Sequence, residues 1–193
     1  MRKKILFLAG MMACCSLAGA QEISKTWVAD KGNGTYQNPV LHADYSDPDV
    51  CAAGDDFYMT ASSFNCIPGI PILHSNDLVN WSLVNCALPI QEPEEFFDKA
   101  QHGKGVWAPA IRFHNGEFYI YWGDPDYGIY MIKAKDPKGR WSKPVLVKAG
   151  KGMIDPTPLW EEDGKVYLVH AYAGSRSGVN SIVVICELNA EVT

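Results

Sequence analysis

Three residue-proline pairs recur along the chain: Asp47-Pro48, Ala108-Pro109 and Asp155-Pro156. Two of them carry a carboxylate, and Trp107 stands beside the one that does not. Two carboxyl groups in one confined site push their pKa values apart, so that one holds a proton while the other accepts one; this suits general acid/base work. Asp-Pro is also an ordinary turn-opening pair at a strand start, and the pairs alone do not separate the two readings. The deciding matter is whether the fold brings the two aspartates together.

The same unit surrounds each pair. Asp47-Pro48 leads to a turn at Gly54-Asp55-Asp56 and then Phe57-Tyr58-Met59; Ala108-Pro109 leads to Asn115-Gly116-Glu117 and Phe118-Tyr119-Ile120. Asp155-Pro156 leads to Asp163-Gly164-Lys165 and Val166-Tyr167-Leu168. The proline-to-tyrosine offset is 10, 10 and 11 residues, and the units start 61 and then 47 residues apart. Each reads as a short strand, a glycine-containing hairpin turn and an alternating aromatic or β-branched strand. The second halves match too: Pro71 to Ser75 then Trp81 to Val84, Gly128 to Ala134 then Trp141-Ser142, and Ser181 to Cys186.

Four strands in a period of roughly fifty residues predict an all-β fold, a β-propeller with about three blades in this chain; a β-sandwich with similar hairpins is the alternative. The blades fall at about 38–104, 105–150 and 151–193. Propellers close with about four to eight blades, so three units read as the front part of a longer protein, with one blade face left uncovered. The innermost strand of each blade lines the axis, which places Asp47, Ala108 and Asp155 around one funnel with Trp107 as an aromatic wall.

Composition narrows the function. The 193 residues hold 17 Lys+Arg against 22 Asp+Glu, a net charge of -5, which leaves no cationic surplus for a nucleic-acid backbone. Residues 1–20 combine the cationic Arg2-Lys3-Lys4 with an uncharged run ending Ala18-Gly19-Ala20, the pattern of a secretory signal peptide. The expected protein is exported, periplasmic or extracellular, without membrane association after cleavage. Residues 21–37 read as a polar, glycine-rich leader. Export permits disulfides among Cys51, Cys66, Cys86 and Cys186, in any of three pairings; in a chain of this size buried free thiols are preferred. No Cys/His cluster has zinc spacing.

Several blocks together resemble glycoside hydrolase family 43: Asn38-Pro39-Val40-Leu41, Tyr45-Ser46-Asp47-Pro48-Asp49-Val50, Ala61-Ser62-Ser63-Phe64, Pro68 to Ser75, Asp77 to Trp81, Gly105 to Pro109, and Ile154-Asp155-Pro156 with Asp163 to Leu168. They run in the family's order from about Asn38 onwards. The resemblance implies a five-bladed propeller in the full-length protein and inverting hydrolysis of xylose- or arabinose-containing plant polysaccharides and oligosaccharides, as a β-xylosidase or α-L-arabinofuranosidase. It places Asp47 as general base and Asp155 as the carboxylate that tunes and orients the acid. It places Trp107 and Phe64 as aromatic walls of the sugar subsite, although blade packing also accounts for both rings. Asp49 stands where the family often has Ser and adds a charge nearby. Arg176, in the loop 171–178, reads as part of a solvated turn.

The family's general acid is a Glu followed by Gly and a small residue or Pro, and Glu161, Glu162 and Glu187 all lack that context. The expectation is therefore an inactive fragment of an active enzyme, with the acid beyond Thr193. No cofactor is required; the resemblance leaves room for a structural calcium in the full-length protein, with no ligands to place here. The competing expectation is a non-catalytic carbohydrate-binding propeller using the same aromatic walls. A propeller for protein contacts alone gives the paired aspartates no use, and a fructan-acting relative fits the blocks poorly.

Overall fold

The computed structural model describes residues 26–65, 67–189 and 191–193. The expected signal peptide, the first part of the leader and Cys66 lie outside the described residues. Three antiparallel meanders follow one another. The first holds β1 (Asp49–Ala53), β2 (Asp56–Thr60), β3 (Gly69–Ser75) and β4 (Ser82–Leu88). The second holds β5 (Trp107–His114), β6 (Glu117–Asp124), β7 (Gly128–Ala134) and β8 (Val145–Ala149). The third holds β9 (Met153–Trp160), β10 (Val166–Tyr172) and β11 (Val183–Glu187). Single-turn helices α1 (Glu94–Phe97) and α2 (Gly174–Ser177) sit in the loops before β5 and β11. The inner strand β5 packs between β1 and β9, which is the arrangement of propeller blades.

Local sequence accounts for the strand limits. Asn115 and Gly116 both have positive φ (48° and 79°), the type I′ geometry of a two-residue hairpin, and they join β5 to β6. Trp141-Ser142, the repeat's second-half match, precedes the fourth strand of the second blade. Ser142 exchanges hydrogen bonds with Lys133 at 2.9 and 3.0 Å, and Pro144, which has no N–H for a ladder, delays β8 to Val145.

The core lies between the blades. Alternate residues of β6 face opposite ways: Phe118, Ile120 and Trp122 pack with Ile70, Ile72 and Leu88 of the first blade. Tyr119 and Tyr121 pack with Met153, Val166 and Leu168 of the third. A strand buried on both faces needs a near-continuous apolar run, and β6 (EFYIYWGD) supplies one. Truncating the fully buried Ile120 to Ala costs about 2–5 kcal/mol. The far side of the third blade, by contrast, presents Leu159, Val183 and Ile185 to solvent. Cys51 is a buried thiol whose pKa burial pushes up to about 12, and Cys186 is a free thiol receiving a hydrogen bond from Lys148 Nζ at 3.1 Å. The described end of the leader docks on the first blade, where Asn80 Nδ2 donates to Asp30 Oδ2 at 2.9 Å. Among the described residues no helix is long and apolar enough to cross a membrane.

Candidate active site

One ladder defect repeats at each residue-proline pair. Ser62 N donates to Ser46 O and Asp49 pairs with Thr60, so Asp47 and Pro48 together oppose Ala61. Trp107 pairs with Gly123 and Ala110 with Tyr121, so Ala108 and Pro109 oppose Trp122. Ile154 pairs with Ala171 and Thr157 with Val169, so Asp155 and Pro156 oppose His170. Each is a β-bulge whose first residue has positive φ: 49° at Asp47, 37° at Ala108 and 53° at Asp155. Glycine takes this conformation freely, whereas an L-side chain pays about 1–2 kcal/mol. The same strain at three matching places turns all three residues into one space. Asp47, Ala108 and Asp155 line a cleft of about 420 Å³ together with Phe64, Gly103 and Trp107. All four residues singled out from the sequence thus meet in one cleft.

The two carboxylates have different surroundings. Asp47 Oδ2 accepts hydrogen bonds from Ser62 Oγ at 2.7 Å and Ser46 Oγ at 3.0 Å. Ser62 Oγ also accepts from the Ala108 N–H at 2.9 Å and so ties the bulges of the first two blades together. Asp155 has no hydrogen-bond donor among the described residues. The protein wall desolvates its carboxyl and Asp47 adds a like charge, and both raise its pKa. One acid with donors and one without are the two environments that divide labour between base and proton-holding group.

The aromatic walls are braced. Phe64 and Trp107 meet edge to face, with centroids 6.2 Å apart. Arg176 is no solvated turn residue. Gly178, at φ 76°, ends α2, and the Arg176 guanidinium lies 5.6 Å from the Trp107 ring while its Nε pairs with Asp126 Oδ1 at 3.3 Å. Lys104 reaches the other oxygen of Asp126 at 3.6 Å. The charge on Asp49 is also answered: its Oδ2 takes the Arg112 guanidinium and, at 2.8 Å, the Ile111 N–H, pinning β1 to β5.

Sequence reasoning missed Ser62 as an Asp47 partner, although the hairpin register that pairs Asp49 with Thr60 already sets position 62 across from position 47. It also missed Asp124 and Gln91, which bond at 3.0 Å in the buried interior beside the cleft. Burial pushes Asp124 up to about 6, against the pull of hydrogen bonds from Asp126 N, Tyr127 N and Gln91. Among the described residues no three His, Cys, Asp or Glu side chains converge to hold a metal ion.

Two aspartates and two aromatic rings thus share one cleft in a three-bladed portion of a propeller. The sequence profile of Glycosyl hydrolases family 43 matches residues 36–193, and the chain belongs to that family. It is 36% identical over 173 residues to a beta-xylosidase of Formosa agariphila, covering 85% of this chain and 29% of the relative. It is 38% identical over 139 residues to a non-reducing end alpha-L-arabinofuranosidase of Bacteroides ovatus, covering 70% and 26%. Among solved structures, a GH43_12 protein retrieved from a capybara gut metagenome superposes with a TM-score of 0.65 at 33% identity, covering 79% of this chain and 30% of that one. The chain spans less than a third of the length of each of these proteins.

Proposed function

We propose that this chain is the base-carrying part of an exported glycoside hydrolase that cleaves xylose- or arabinose-containing plant polysaccharides and oligosaccharides with inversion. The observation that carries the reading is the convergence of Asp47 and Asp155 in one cleft through matching bulges, beside an edge-to-face aromatic pair. In the proposed mechanism the pentose rests its apolar ring face on Trp107 or Phe64. Asp47, oriented by Ser46 and Ser62, takes the proton of a water attacking the anomeric carbon. Asp155 lies near the path of the acid, keeping that acid's proton affinity high and its carboxyl aligned. The acid itself protonates the leaving oxygen from the opposite face, roughly 6.5–9.5 Å from the base.

Among the described residues no glutamate lines the cleft. We therefore place the acid in a segment following these three blades, a segment that would also cover Leu159, Val183 and Ile185. A missing positioned donor costs about 10² to 10⁴ in rate, so the 193-residue chain alone is inactive or nearly so. The same gap favours, as a second reading, a sugar-binding propeller without catalysis. Hydrolysis of aryl β-xyloside and aryl α-L-arabinofuranoside by the whole protein, with anomeric configuration followed by NMR, decides between them. Inverted product and its loss in Asp47→Ala support the enzyme; sugar binding without turnover supports the second reading; retained configuration refutes the assigned roles.

A further inference from the structure

Away from the cleft, β8 of the second blade meets β10 and β11 of the third and brings Lys148, His170 and Cys186 together. Lys148 Nζ lies 3.0 Å from His170 Nε2 and 3.1 Å from Cys186 Sγ. A lysine usually carries its charge out to water or to a carboxylate. Among the described residues Lys148 pairs with no carboxylate and turns to an imidazole and a sulfur instead. Cys186 lies across from Leu168 in the β10–β11 register, and Leu168 and His170, two apart on one face of β10, are both buried. Lys148 and Cys186 themselves are half-buried, so a small solute reaches the sulfur. His170 Nδ1 stands 3.1 Å from Ala171 O, an atom that only accepts, so Nδ1 carries the ring proton and Nε2 is a bare acceptor facing the lysine. Burial lowers the pKa of the ring and holds it neutral, against the pull of the Ala171 bond, and the Lys148 charge acts with burial. Tyr172 packs edge to face on the imidazole, with centroids 5.2 Å apart, and fixes its orientation.

The amine therefore has a sulfur on one side and a proton acceptor on the other, and its 3.1 Å approach to Sγ falls in the range of about 3–3.5 Å at which reacting atoms are poised to bond. We propose that Cys186 and Lys148 form an oxidant-driven crosslinking site, in which a peroxide converts the thiol to a sulfenic acid and the lysine amine then closes a sulfenamide that ties β8 to β11. In the first step hydrogen peroxide gives one oxygen to Sγ: its O–O bond breaks, an S–O bond forms, and one water leaves. In the second, Lys148 loses its ammonium proton to His170 Nε2, and the Nζ lone pair attacks Sγ. The S–O bond breaks, an S–N bond forms, and the departing hydroxyl takes a proton from Nζ and leaves as a second water. Sulfur has lost two electrons and the peroxide has gained two. A thiol reverses the link by attacking Sγ and releasing the amine, and a second thiol then frees Cys186. Cys51 does not compete, because it is buried and its thiol, pushed up to about 12, stays protonated and inert.

Lys148 and Cys186 stand 38 residues apart in the chain, so the link closes a long loop and holds two blades together, which raises resistance to unfolding under oxidising conditions. The test treats the whole protein with hydrogen peroxide, alkylates the remaining thiols, and digests with trypsin in the absence of reductant. Mass spectrometry is expected to find cleavage after Lys148 lost, and the peptides carrying Lys148 and Cys186 joined in a species lighter by two hydrogens than their sum. Dithiothreitol should restore both the cleavage and an alkylatable Cys186. Lys148→Arg keeps the charge but offers no amine, and Cys186→Ser offers no sulfur; the linked species should be missing from each, with Cys186 of Lys148→Arg carried on to sulfinic acid instead. A Cys186 that stays alkylatable after peroxide overturns the proposal. So does a Cys186 that is oxidised while trypsin still cuts after Lys148, or a linked species that persists in either variant. None of these outcomes touches the reading of the Asp47 and Asp155 cleft, which shares no residue with this site.

Discussion

Asp124 is 1% exposed, and burial pushes its carboxyl from 3.8 up to about 6. A raised carboxyl pKa means that the folded state holds the proton longer than the unfolded chain does. The contribution of this group to stability is therefore complete below the unfolded value near 3.8 and is lost as pH rises through about 6. The gap is about 2 pKa units, and at ~1.4 kcal/mol per unit the loss is ~3 kcal/mol by pH 7. Asp124→Asn removes this loss. The asparagine oxygen can keep the Asp126 and Tyr127 N–H bonds, while its amide nitrogen finds Gln91 Oε1 after a flip of that amide. Denaturant unfolding of the whole protein and the variant, from pH 3.5 to pH 8, reads the difference directly. The variant should gain on the parent by about 2–3 kcal/mol across that range, with most of the change between pH 4 and pH 6. A difference that does not move with pH refutes the argument, because the ionised form would then be no worse off folded than unfolded.

Other expectations follow from the same geometry. Ser62→Ala removes a donor to Asp47 and the link to Ala108 N, and should cost about 1.5 kcal/mol of stability, read by denaturant unfolding, along with a clear fall in kcat. Ala108→Gly relieves a positive φ and should stabilise by about 0.5–1 kcal/mol after the added freedom of the unfolded glycine is set against the relief, again measured by unfolding. Arg176→Ala unbraces Trp107 and should weaken pentose affinity about two- to fivefold in calorimetry, with Arg176→Lys recovering only part of it.

The blade architecture could be read from the sequence because each blade repeats a strand-turn-strand pattern with its own turn chemistry, as at Asn115-Gly116 between two aromatic-rich strands. The meeting of Asp47 with Asp155 followed from that repeat and from where inner strands must lie, with no knowledge of any bulge. The bulges were hidden because positive φ at Asp, Ala and Asp leaves no mark on composition where glycine would have left one. Arg176 was misjudged because its partners, Trp107 and Asp126, belong to a different blade and only meet it in three dimensions. Gln91 and Asp124 gave no signal for the same reason: their chemistry arises from burial, which neither a glutamine in a long loop nor an aspartate at the end of β6 shows in the sequence pattern.

Two aspartates more than a hundred residues apart share one cleft closely enough to feel each other's charge. Carboxyl-carbon NMR titration of Asp155, in the whole protein with Asp47 intact and with Asp47→Asn, tests it directly. A shared cleft gives a raised Asp155 midpoint that falls when the charge at position 47 is removed. An Asp155 titration identical in the two proteins would contradict it.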